Sequence, residues 1–206
     1  MARTSVFARD VKLIVDRNLS VEARQKMIAR QARKILAEAK ATNAHAFEGR
    51  EPSYRQAVDG KVGAALESVN PDRGKIVFTF NLTVPVIEKA HQWLVAASPV
   101  LTGRYAASHI LLVDGVEVDW SNIPPDAEEY TILSPLPYAR KIERGQSNKA
   151  PDGVYEVTEA LINARFGNIV RARFTYRSVD VPAARTPGER KAQNDTRQPA
   201  IVIKAR

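Results

Sequence analysis

Hydrophobic and polar positions along the chain predict a short list of elements. Residues 1–18 alternate weakly through Val11, Leu13 and Val15, as a short strand or a lead-in does. Ser20 then reads as an N-cap with Glu22 in the first turn. Ile28, Ala32, Ile35 and Ala39 recur at helical spacing, so 20–42 reads as one amphipathic helix with Arg24, Arg30 and Lys34 on its solvated faces. Residues 43–74 are polar and carry Gly49, Pro52, Gly60, Gly63, Pro71 and Gly74: a long loop with short structured pieces, of the kind used for function or ordered by a partner. Ile76, Phe78 and Phe80 alternate with Val77 and Thr79 in a half-buried strand. Thr83 and Pro85 open a second helix that Pro99 ends, with Ile87, His91, Leu94 and Val95 on one side. His91 on that stripe reads as a core or interface histidine.

Residues 107–113 and 116–120 flank Asp114-Gly115, the dipeptide of a two-residue hairpin turn. Tyr130 to Leu133 reads as a short strand, and Pro137 to Glu143 as a single helical turn ended by Gly145. A third helix follows Pro151-Asp152-Gly153, with Val154, Val157, Leu161 and Ile162 on one face and Gly167 at its close. Residues 168–178 form a strand with Val170, Ala172, Phe174 and Tyr176 on one face and Arg171, Arg173, Thr175 and Arg177 on the other. After Pro182 the pattern is lost until Ile201-Val202-Ile203, an arm strand that adds to a neighbour's sheet edge or pairs back onto its own domain. These elements predict an α+β fold. One domain over 1–181 holds a mixed or antiparallel sheet packed by two or three helices, with the N-terminal basic helix 20–42, the loop 43–74, and an extended C-terminal arm over 182–206.

Charge refines this outline. The 206 residues carry a net charge of +8. Residues 1–42 hold ten Lys/Arg against four Asp/Glu, and 182–206 hold six against two, while 43–181 hold fifteen against seventeen. A nearly neutral middle thus lies between basic ends, which suits contact with nucleic acid or with acidic protein surfaces. A 44% hydrophobic content supports a buried core. No apolar run approaches membrane-spanning length, so no membrane is expected, nor a secretory signal after Met1.

The absence of cysteine excludes disulfides, thiolate metal sites and thiol nucleophiles. His45, His91 and His109 have no metal-motif spacing, and no phosphate-cradling loop or nucleophile elbow occurs. Asp152 with the distant Glu189-Arg190-Lys191 is a weak nuclease-like pattern, because paired metal carboxylates need adjoining strand ends. No enzyme, metal or cofactor is therefore expected. Arg171, Arg173 and Arg177 make a positive stripe, facing DNA or a partner, without interleaved stacking aromatics.

Two segments are more specific. One is Ser98-Pro99-Val100-Leu101-Thr102-Gly103-Arg104-Tyr105, followed by Ser108. The other is Leu136-Pro137-Tyr138-Ala139-Arg140, Ile142-Glu143, Gly145, Ser147 and Ala150-Pro151 with Gly153. In this order and spacing they resemble the neck, or tail-completion, proteins of tailed bacteriophages; the stretch Asp59-Gly60 to Val69 is similar to a segment of some of them. The resemblance spans about residues 55–178. It implies a structural virion protein in a head–tail connector, made in the host cytoplasm. It further implies a homo-oligomeric ring, with portal or adaptor and tail-tube or tail-terminator proteins as partners and DNA in the lumen without sequence specificity. Thr102, Gly103, Arg104, Tyr138, Ala139, Glu143 and Gly145 are then assembly or motif residues. Read physically, Thr102 and Gly103 make a turn, Arg104 starts a strand, and Glu143 pairs with Arg140, Arg144 or, across the domain, Arg104. All seven also read as scaffold. The alternative function is nucleic-acid binding through the basic helix and arm.

Overall fold

The structure, a computed structural model, describes residues 19–178 and 197–206. The fold is α+β, and its sheets are antiparallel throughout. It divides into two compact units, one ending at Pro85 and one beginning at Val86. The lead-in strand expected over 1–18 and the Glu189-Arg190-Lys191 segment lie outside the described residues.

In the first unit, helix α1 (Val21–Ala46) starts at Ser20, whose hydroxyl accepts from the Ala23 amide at 3.2 Å. It runs four residues past the expected end. Its apolar stripe centres on Ala29 and Ala32, with Ile28 beside them, packed with Val58, Leu66, Val69, Ile76 and Phe78. Arg24 departs from expectation. It is buried rather than solvated, because its guanidinium reaches Pro71 O (3.2 Å) and the Asp72 carboxylate. The expected long loop is partly regular. Strands β1 (Tyr54–Val58) and β2 (Lys61–Val62) and a 3₁₀ turn (Leu66–Ser68) lie within it, and β3 (Ile76–Phe80) completes a sheet of order β2-β1-β3. Asp59 (φ 51°) and Gly60 (φ 81°) make the β1–β2 turn, and the Asp59 carboxylate accepts from the amides of Asn70 (2.8 Å) and Lys75 (2.7 Å). That fixes the loop that sequence alone left open.

The second unit is built on a five-stranded sheet of order β5-β4-β6-β8-β7. Its strands are β4 (Ile110–Val113), β5 (Val116–Val118), β6 (Tyr130–Leu133), β7 (Val170–Arg177) and β8 (Gln198–Ala205). Asp114 (φ 49°) and Gly115 (φ 85°) both take the positive φ that a type I′ hairpin needs. Ile201, Val202 and Ile203 do not lie on an extended arm. They belong to β8, an inner strand paired with β6 on one side and β7 on the other, and all three are buried. The chain's own sheet supplies the partner that three β-branched residues need.

Helix α2 (Thr83–Ala97) buries Val86, Ile87, Ala90 and Leu94, while Val95 is exposed. The short α3 (Ala139–Glu143) and α4 (Tyr155–Phe166) follow β6. The buried side of α4 is Tyr155, Thr158, Ile162 and Phe166, so Val157 and Leu161, expected inside, are exposed. Two apolar series overlap on this helix, and the one carrying the aromatic rings is buried. The two faces of β7 alternate as read: Val170 and Ala172 are buried, Arg171, Arg173 and Arg177 exposed.

Candidate functional site

The two segments that carry the family resemblance meet inside the second unit. Ser98, at the end of α2, donates its hydroxyl to Leu94 O at 2.6 Å. Its proton is thereby committed, so Ser98 Oγ accepts from His109 Nε2–H at 2.9 Å. His109 Nδ1 then accepts from the Tyr155 hydroxyl at 2.7 Å. Tyr155 is the first residue of α4, so this chain ties the end of α2 to the start of α4. All three residues are buried.

Glu143 completes the arrangement. Helix α4 lacks a side-chain cap of its own. The Glu143 carboxylate instead accepts from the amides of Val154 (2.9 Å), Tyr155 (3.0 Å) and Glu156 (2.9 Å). These are free donors at a helix start, where a negative charge is also favoured by the helix dipole. The carboxylate is fully engaged here, and no ion pair joins Glu143 to Arg104 among the described residues. Gly153 (φ 79°) explains itself by the same contact, since a Cβ there would stand 2.8 Å from Glu143 Oε1. Gly145 (φ 72°) likewise passes against the Pro151 carbonyl, leaving no room for a side chain.

Further links lock the segments together. Lys149 Nζ donates to Val100 O at 2.8 Å, and Ser108 Oγ bonds Ser134 Oγ at 2.7 Å. The Tyr105 ring lies between His109 (5.3 Å) and Tyr138 (6.2 Å). Ala139 is fully buried, whereas Tyr138 before it is exposed. His91 stacks on Trp120 at 3.8 Å, and Trp120 donates to His109 O at 3.1 Å.

Electrostatics follow from this burial. Desolvation, with His91 nearby, lowers the His109 pKa to about 4, so the ring is neutral at pH 7. Burial also lowers His91 and raises the Tyr105 and Tyr155 hydroxyls. A buried Ser–His pair invites comparison with a nucleophile and its base. With the Ser98 proton directed to Leu94 O, the tautomer that fits has His109 donating toward Ser98, the reverse of the base's role. The arrangement holds elements in place.

The turn projecting from this node is exposed. Thr102 Oγ1 accepts from the Arg104 amide at 3.4 Å and Gly103 has φ 76°, as the turn reading requires. Arg104 does not start a strand: a 3₁₀ turn (Ala106–Ser108) follows and β4 begins at Ile110. Leu101 is 93% exposed. The basic stripe lies elsewhere, on the edge strand β7, where Arg177 pairs with Glu129 at 3.2 Å and Lys204 of β8 pairs with the same carboxylate at 3.0 Å.

Sequence reading missed Ser98–His109–Tyr155, whose members stand eleven and forty-six residues apart. The only local signal was a helix ending on Ser-Pro. Among the described residues no group of three or more His, Asp or Glu is placed to hold a metal ion, and no helix is long and apolar enough to cross a membrane. The chain matches no protein-family model, no curated protein and no solved structure.

Proposed function

We propose that this chain is a structural component of a tailed-phage particle, acting in the head–tail connector or tail-completion ring. One observation carries the reading. The segments 98–108 and 136–153, which together resemble neck proteins, interlock through Ser98–His109–Tyr155, the Glu143 cap and the Lys149–Val100 bond. Two short matches that build one buried unit are less readily a coincidence than two that stand apart. Such a node holds the exposed turn at Leu101 and Thr102 in a fixed position, which suits a ring subunit that must meet identical neighbours repeatedly. Portal or adaptor and tail proteins are the partners this reading gives, with DNA passing through the lumen. The test is protein mass spectrometry of purified, nuclease-treated virions of the encoding phage. The chain is expected at a fixed copy number per particle, and its absence from particles that carry their tails refutes the reading.

A second reading is favoured by Lys26, Arg30 and Lys34. They lie one helical turn apart on α1, are exposed and have no ion-pair partner among the described residues. Such a row suits sequence-independent contact with phosphates. Duplex DNA affinity that falls steeply with salt supports this, and affinity that is flat in salt rejects it.

A further inference from the structure

The five-stranded sheet has opposite charge at its two edges. Strand β5 and the loops beside it supply Asp114, Glu117, Asp119, Asp126 and Glu128, and residues 114–129 contain no Lys or Arg, while Glu129, just before the middle strand β6, turns its carboxylate to the other side. At the other edge, residues 160–178 contain Arg165, Arg171, Arg173 and Arg177 and no Asp or Glu, and Lys204 pairs in register with Arg171. The register places the extremes on one face. Glu117, Leu112, Thr131, Val202 and Arg173 form a single row across all five strands. Four interstrand steps of about 4.8 Å separate its acidic and basic ends by roughly 19 Å.

The basic edge is only partly neutralised within one copy. Arg171 and Lys204 stand directly opposite, and like charges so placed repel. Glu129 answers Lys204 and Arg177, while Arg171 and Arg173 have no ion-pair partner among the described residues. At the acidic edge Glu117 is exposed and unpaired on the same terms. The edges are not built for strand addition. Strand β5 has three residues, and the Asn163 side chain occupies the outer edge of β7, accepting from Ala172 N and donating to Ala172 O, each at 3.0 Å.

We infer that the partner of the basic edge is the acidic edge of a second copy of this chain, in a head-to-tail contact made by side-chain charge between Arg171, Arg173 and Lys204 on one copy and Glu117 with its acidic neighbours on the next. The contact is heterologous, so it repeats and closes into a ring or extends. The charges that conflict within one copy are satisfied between copies. The inference rests on the ring reading for closure and on the sheet alone for the contact.

The test uses the full chain in analytical ultracentrifugation at low and high salt. The wild type is expected to self-associate at low salt and dissociate at high salt. Glu117→Arg and Arg173→Glu are each expected to weaken association by about tenfold or more, and the doubly exchanged variant to restore it. Circular dichroism checks that each variant folds, and Glu117→Lys with Arg171→Glu repeats the exchange if one does not. A wild type that stays monomeric at low salt overturns the inference, as does failure of a folded double variant to recover. Loss of duplex DNA binding in Arg173→Glu with self-association intact also overturns it, assigning the edge to nucleic acid. None of these results removes the chain from virions, so this failure is distinct from failure of the virion reading.

Discussion

The two units of this protein differ in how far their polar links are buried: the first has one such link, from Arg24 to Pro71 O and Asp72, and the second a connected set of them. In the unit ending at Pro85 the core is small, with Ala29, Ala32, Val58, Leu66 and Val69 at its centre, and the ion pair from α1 to the 3₁₀ turn, Arg33–Glu67, is exposed. In the unit from Val86 onward the polar links are inside, and Ser98, His109 and Glu143 are each under a tenth exposed. An exposed pair is screened and contributes little, whereas a buried acceptor that loses its donors, or the reverse, incurs the full cost of desolvation. The family-like motifs fall on the second kind. They are recognisable because turns, glycines and one carboxylate must coincide for α4 to start where it does.

The largest effect is expected at Glu143. Glu143→Ala strands the buried amides at the start of α4 and is expected to lower stability by about 4 kcal/mol in urea denaturation. Gly153→Ala forces a Cβ against the same carboxylate at positive φ, for an expected loss of about 3 kcal/mol. Equal stability of either variant to wild type would show that Glu143 is not the cap.

Acid attacks the same node through His109. Its folded pKa of about 4 lies below the value of about 6.5 that it has unfolded. The unfolded chain therefore takes up the proton first, and stability falls as pH drops from about 6.5 to about 4, by at most about 3 kcal/mol. Below that window the folded ring protonates too and this contribution stops changing. His91, half-buried and also lowered, adds in the same direction. His109→Gln should flatten the profile in this window when unfolding free energy is measured against pH, and an unchanged slope would clear His109 of the role.

Smaller effects separate the tyrosines. Tyr155→Phe removes the donor to His109 Nδ1 and is expected to cost about 1.5 kcal/mol. The Tyr105 hydroxyl is buried without a partner among the described residues, so Tyr105→Phe should leave the thermal midpoint unchanged or raised. The smallest effect belongs to the first unit: Glu67→Gln, at the exposed pair with Arg33, should leave the thermal midpoint unchanged, and a clear drop would place that pair with the buried links.

The elements were legible in the sequence where periodicity and turn chemistry agreed. Asp114-Gly115 located its hairpin, and the alternation of Val170 to Arg177 assigned both faces of β7. Three features were not legible, each for a physical reason. For Ile201 to Ile203 the sequence left open a neighbour's sheet edge or the chain's own, because the strands on either side of them, Tyr130–Leu133 and Val170–Arg177, are distant in sequence. The burial of Arg24 depends on Asp72, far along the chain. Val157 and Leu161 were expected inside with Ile162, yet Tyr155, Thr158 and Phe166 take the inner side of α4 beside it, and helical spacing alone cannot choose between overlapping series. The candidate site divided similarly. Thr102, Gly103 and Gly145 were legible as turn residues, whereas the role of Glu143 depends on three amides eleven to thirteen residues away.

Electron cryo-microscopy of intact virions tests the proposed connector role directly. The proposed role predicts a ring of identical subunits at the neck or tail end, with the five-stranded sheet and its Glu143-capped helix fitting each subunit's density. A complete neck and tail in which no density accepts this fold would contradict it.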